Sequence, residues 1–172
     1  VMEYRENMGR LKKGFLVIAV AATTGVSGCG NYTPVMDIQG LTGVSKSDDG
    51  TVQLMIETCS LTLNRIVVSE GREGIEGNEP NPRLGEISPL RNKTGFLEVN
   101  LDSIGSDWEG SDRILLPDDD ELFIVSPEVS EKNSAIPQVS ATQAALERLR
   151  PGEVIIHNGE KAAVEEFSTA CD

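Results

Sequence analysis

A chain of 172 residues with 28 acidic and 15 basic side chains carries a formal charge of −13, and such a surface repels nucleic acid and anionic lipid. With His157 as its one histidine and three cysteines in all, the chain is poorly supplied for a metal centre, and no metal or cofactor is expected. The length suffices for one domain with a genuine core.

The first element is an apolar run, Phe15 to Val26 (FLVIAVAATTGV), with Arg10, Lys12 and Lys13 just before it. A basic flank, a short apolar stretch and a small-residue exit are the parts of a secretory signal peptide. Twelve residues of helix cover roughly 18 Å, against a hydrocarbon core of about 30 Å, so a permanent span is disfavoured. Met8 opens a compact basic segment, MGRLKK, and competes with Val1 and Met2 as the start. The run ends in Val26-Ser27-Gly28-Cys29, which resembles the bacterial lipobox. In that motif small residues let the signal peptidase reach the backbone, and the cysteine thiol accepts a diacylglyceryl group as a thioether. The expected organisation is a removed signal peptide (1–28), a lipidated Cys29 with a short tether (29–34), and one β-rich domain (35–172). The partner implied is the lipid bilayer, held through diacylglyceryl-Cys29 at the extracytoplasmic face of the cell membrane. Residues 30–34 reach at most about 18 Å, which keeps the domain against the membrane rather than on a stalk.

Without residues 1–28 the chain has 26 acidic and 11 basic side chains, a formal charge of −15. Lipidation of Cys29 leaves Cys59 and Cys171 as an even pair, which in an exported chain reads as a disulfide.

Along the mature chain, LTGVS (41–45), the turn KSDDG (46–50) and TVQLMIET (51–58) read as strand, turn and strand, with Val52, Leu54 and Ile56 on one face. LTLNRIVV (61–68) changes parity from Leu61 and Leu63 to Ile66 and Val68, predicting a bulge near Asn64-Arg65. Residues 71–95, with five glycines and three prolines, read as a long connection or an edge excursion. FLEVNL (96–101), RILL (113–116) and ELFIVS (121–126) are expected strands, with Leu97, Val99 and Leu101 facing inward. Ser140 and Gln143 fit a capping box ahead of a helix through Leu149, which Pro151-Gly152 terminates. EVIIHN (153–158) reads as a strand. A last helix over KAAVEEFSTAC places Val164, Phe167 and Cys171 on one face, aiming the cysteine at the core.

Short strands with turn signals predict a mainly β fold, a small β-sandwich of immunoglobulin-like arrangement with one or two short C-terminal helices. The lipobox VSGC, the DDG before a strand ending in Cys59, LRPGEVI and the terminal EEFSTAC together resemble a group of small uncharacterised actinobacterial lipoproteins. In those proteins the terminal cysteine similarly follows a short "EF" helix, which supports pairing Cys59 with Cys171. The resemblance implies no activity.

Candidate chemistry is sparse. His157 stands alone at a strand end, and no nucleophile motif accompanies it. Asp118-Asp119-Asp120-Glu121 and the group Asp107, Glu109, Asp112 lack calcium-loop spacing and read as solvated acidic turns. Trp108, the one tryptophan, caps a core edge, or else stacks on a sugar ring or anchors a partner. The favoured reading is a non-catalytic binding or accessory module for an unknown envelope protein or small ligand. The competing reading is a cell-envelope enzyme whose site assembles from scattered carboxylates.

Overall fold

The computed structural model describes residues 35–118 and 120–171. Val26, Ser27, Gly28, Cys29 and the tether through 34 lie outside the described residues, as does Asp119. Among the described residues no helix is long and apolar enough to cross a membrane.

Short alternating segments become strands: β1 (Asp37–Ile38), β2 (Leu41–Lys46), β3 (Val52–Glu57), β4 (Leu63–Glu70), β5 (Arg83–Pro89), β6 (Phe96–Asn100), β7 (Trp108–Gly110), β8 (Phe123–Val129), β9 (Ser134–Ala135), β10 (Val139–Ala141), β11 (Glu153–Ile155) and β12 (Lys161–Ala163). Two single-turn helices, α1 (Gln143–Leu146) and α2 (Val164–Phe167), fall in the C-terminal part. One five-stranded sheet has the order β12-β11-β2-β3-β6 and the other β10-β8-β4-β5-β7, with antiparallel neighbours throughout. A parallel pair, β1 with β9, stands apart.

The two sheets share one core. Val44, Leu54, Ile56, Val99 and Ile155 face Leu63, Ile66, Val68, Ile87, Phe123, Val125 and Val139 in a single apolar cluster. Burying each such side chain stabilises by about 1.5–3 kcal/mol before entropy is counted. The expected sandwich is therefore the architecture. Its strands β2-β3-β6 and β10-β8-β4-β5 follow the A-B-E and G-F-C-C′ orders of an immunoglobulin sandwich. Strands β7, β11 and β12 are additions at the sheet edges.

The parity change in β4 is a bulge: the register against β8 shifts between Leu63 and Arg65. Other expectations need correction. Residues 71–95 are not one connection, because β5 runs through them. Its inward positions are Gly85 and Ile87, and a side chain at 85 would meet Ile114 Cγ1 at 2.6 Å, so the core selects a glycine that conceals the alternation. RILL (113–116) is not a strand: Ile114 N–H donates to Leu101 O (2.8 Å) and its side chain fills the space at Gly85, while Leu115 is exposed. Ser140 belongs to β10, paired with Ile124, and the cap of α1 is Thr142, which accepts the Ala145 N–H at 3.1 Å. The strand over 153–158 ends at Ile155 and a 3-10 turn follows. The final helix loses its first turn to β12. Asn158 (φ 60) and Gly159 (φ 74) turn the chain back, and Lys161–Ala163 then pairs with β11.

Thr42 faces the core with Val44 and is 1% exposed, yet its Oγ1 has no hydrogen-bond partner among the described residues. A buried hydroxyl in that state costs about 1–3 kcal/mol. Thr42→Val keeps the shape and removes the polar atom. Urea denaturation should show a gain of about 1 kcal/mol; a loss would mean the hydroxyl has a partner in solution.

Candidate functional site

The chain crosses from one sheet to the other at 58–62, and that corner builds an open cleft. β3 presents Leu54 and Ile56 to the core, so Met55 and Glu57 point to the outer face of the sheet. An outer face is normally wet. Here α2 covers it: Phe167, fully buried, packs with Met55 and Val154. Gly43 makes the room, since a Cβ there would lie 2.5 Å from Val154 Cγ2 and 2.9 Å from Phe167 Cε2. The residues after α2 then pass beside Glu57, and Cys171 bonds to Cys59 across a sequence separation of 112, with the Cα atoms 5.5 Å apart.

The bridge pins the C-terminal segment as expected, but not from the core. Cys171 is exposed and Cys59 half-buried, because α2 ends at Phe167 and the turn beyond it carries Cys171 out to the corner. Cys59 itself adopts a left-handed conformation (φ 55), uncommon for a side chain with a Cβ. Glu57 Oε1 accepts the Cys59 N–H at 2.9 Å and so holds that corner. Thr58, fully buried, donates its N–H to Gly95 O (3.1 Å) and accepts the Gly95 N–H on Oγ1 (2.7 Å), tying the 90–95 loop to the same place. Thr62 N–H donates to both oxygens of Glu131 at 3.0 Å, and hydrogen bonding from Thr62 holds that carboxyl below the usual range.

An open cleft of about 830 Å³ results, lined by Ile38, Gln39, Glu57, Ser60, Ser168 and the two bridged cysteines among others. Glu57 is the one buried charged side chain among the described residues, at 6% exposure. Its carboxylate and the sulfurs of Cys59 and Cys171 lie within 4.8 Å of one another. Metal coordination by cysteine requires thiolates, and a disulfide has none, so this donor set does not suit an ion while oxidised.

The other candidates lie apart from the cleft. His157 is in the 3-10 turn after β11, exposed, its Nδ1 3.4 Å from Gln138 O. Asp107 pairs with Lys93 (3.3 Å), while Glu109 lies on the edge strand β7; Asp118, Asp120 and Glu121 occupy the turn before β8, where the Glu121 N–H donates to Asp118 O (2.9 Å). Trp108 opens β7 opposite Pro89. Its ring is half-buried against the core with Lys93 Nζ 5.5 Å from the ring centroid, a cation–π contact. That is a core-edge position with one exposed flank.

Sequence reasoning missed Glu57. Its outward parity in VQLMIE was legible, but the segment that buries it lies more than a hundred residues away. No family model, curated protein or solved structure matches the chain.

Proposed function

We propose that this protein is a bacterial lipoprotein, anchored through diacylglyceryl-Cys29 at the extracytoplasmic face of the cell membrane, whose sandwich is a non-catalytic binding or accessory module. The observation that carries the reading is the Cys59–Cys171 disulfide. Structural disulfides persist in oxidising compartments, which supports export. The bridge also takes two of the three cysteines and leaves the odd one at the end of VSGC, the place where a lipoprotein needs it.

Binding is favoured over the envelope enzyme by the character of the cleft. A site assembled from carboxylates would set at least two of them together in one cleft, whereas Glu57 is alone in its burial among the described residues and is engaged by the Cys59 N–H. The hydroxyls of Ser60 and Ser168 and the amide of Gln39 around it suit a small polar ligand.

Fractionation of cells expressing the full chain tests the anchor. The wild type should sediment with membranes and incorporate labelled palmitate; Cys29→Ala should lose the label entirely. Equal labelling of the two would refute lipidation at Cys29.

A further inference from the structure

The bridged corner lies at one end of the sandwich, and the strand register identifies what shares that end. Leu41, Glu57 and Phe96 align across β2, β3 and β6. On the other sheet, β4 starts there at Leu63, so its antiparallel neighbour β5 finishes there at Pro89, followed by Leu90. β1 lies there too, since Ile38 and Gln39 line the same cleft as Cys59. The opposite end carries the β2–β3 turn and the segment around Leu115, which lines a hollow with Val52 and Leu101.

Exposed apolar side chains are distributed unequally between the two ends. Val35 (90% exposed), Met36 (57%), Ile38 (66%), Leu90 (58%) and Phe96 (39%) lie at the bridged end, against Leu115 (60%) and Leu122 (39%) at the other. Ile38 belongs to β1, and Val35 and Met36 lead into it. Asp37 N–H donates to Asn133 O (2.8 Å) and Gln39 N–H to Ala135 O (3.0 Å), so β1 is fixed, and the three side chains are exposed where the chain enters the sandwich. They also begin six residues after Cys29, within about 20 Å of the lipid by chain length.

We propose that this bridged end, with Val35, Met36, Ile38, Leu90 and Phe96, is the face that rests on the outer leaflet of the membrane. The inference rests on the lipidation of Cys29 proposed above and adds an orientation to it. An acidic domain is repelled by anionic headgroups, so contact depends on apolar insertion at the headgroup–acyl boundary and on the high effective concentration that a short tether provides. The cleft opens at this end beside the headgroups, where a small polar ligand reaches it, and the opposite end faces away from the membrane.

The full lipidated chain in phosphatidylcholine vesicles with brominated acyl chains tests this. Two tryptophan probes are compared in a Trp108→Phe background: Leu90→Trp, at the bridged end but remote in sequence from the tether, and Leu115→Trp, at the other end with similar exposure. Bromine should quench the Leu90→Trp probe, which apolar insertion at the headgroup–acyl boundary brings near the acyl chains, and leave the Leu115→Trp probe unchanged. Adding Val35→Ser, Met36→Ser and Ile38→Ser should abolish the difference, which tether proximity alone would not. Intact mass on the same samples reports the diacylglyceryl group. Absence of that group removes the anchor and the orientation together. A lipidated protein whose probes are quenched equally, in reverse order or not at all overturns the orientation alone. Shielding of the Leu90→Trp probe from an aqueous quencher without bromine quenching would assign this end to a second copy of the chain, and would overturn it as well.

Discussion

Replacing Cys59 and Cys171 together by alanine should lower the stability of the domain by about 5 kcal/mol. The bridge closes a loop with a sequence separation of 112, and chain-entropy reasoning assigns long loops the larger effect because the cross-link restricts the unfolded chain. The folded side of the balance points the same way. α2 is a single turn of four residues, far below the length at which a helix is stable alone, and after Phe167 the bridge is what holds the remaining segment against Glu57. A domain of this size has about 5–15 kcal/mol in total, so the double variant should sit near the edge of folding at 37 °C. Urea denaturation of the mature chain, followed by circular dichroism, reads the loss, and a thiol reductant should reproduce it in the wild type. A change below about 1 kcal/mol would show that the C-terminal segment is held without the bridge.

Phe167→Ala should cost about 3–5 kcal/mol. The ring is fully buried, lies over Gly43 and meets Phe96 edge-on at 6.1 Å between centroids. No neighbour can collapse into the space, because the strands beneath it are fixed by their own ladders. Its loss also frees α2, so the effect is coupled to the bridge: the triple variant should lose less than the sum of the two changes, since a released segment has no Phe167 contact left to forfeit. Strict additivity would mean that Phe167 and the bridge stabilise separate parts of the molecule. An effect of Phe167→Ala within about 1 kcal/mol of zero would contradict its place in a packed second core.

Local pattern carried much of this fold. Alternation in TVQLMIET and FLEVNL marks strands that pair in the structure with each other, and the parity change in LTLNRIVV marks a bulge, because side-chain period is a property of the strand itself. What was not legible depends on distant partners. Gly85 conceals β5 because the residue that needs its space, Ile114, belongs to a later segment. RILL has the composition of a strand, but Ile114 spends its N–H on Leu101 and no neighbour strand is left for the rest. Met55 reads as solvent-facing beside Leu54 and Ile56, yet α2 buries it. The cleft shares that origin. With Cys29 set aside by its place in VSGC, counting was enough to expect a bridge between Cys59 and Cys171, while the burial of Glu57 beside that pair required knowing which face the C-terminus covers.

The three cysteines divide into one lipid anchor and one bridged pair, a division that mass spectrometry of the protein extracted from cell membranes under non-reducing conditions reads out. The expected result is an N-terminal peptide beginning at diacylglyceryl-modified Cys29, the Cys59 and Cys171 peptides recovered as one linked species, and no alkylatable thiol. Unmodified Cys29 still joined to residues 1–28, with free thiols at Cys59 and Cys171, would contradict both the anchor and the compartment.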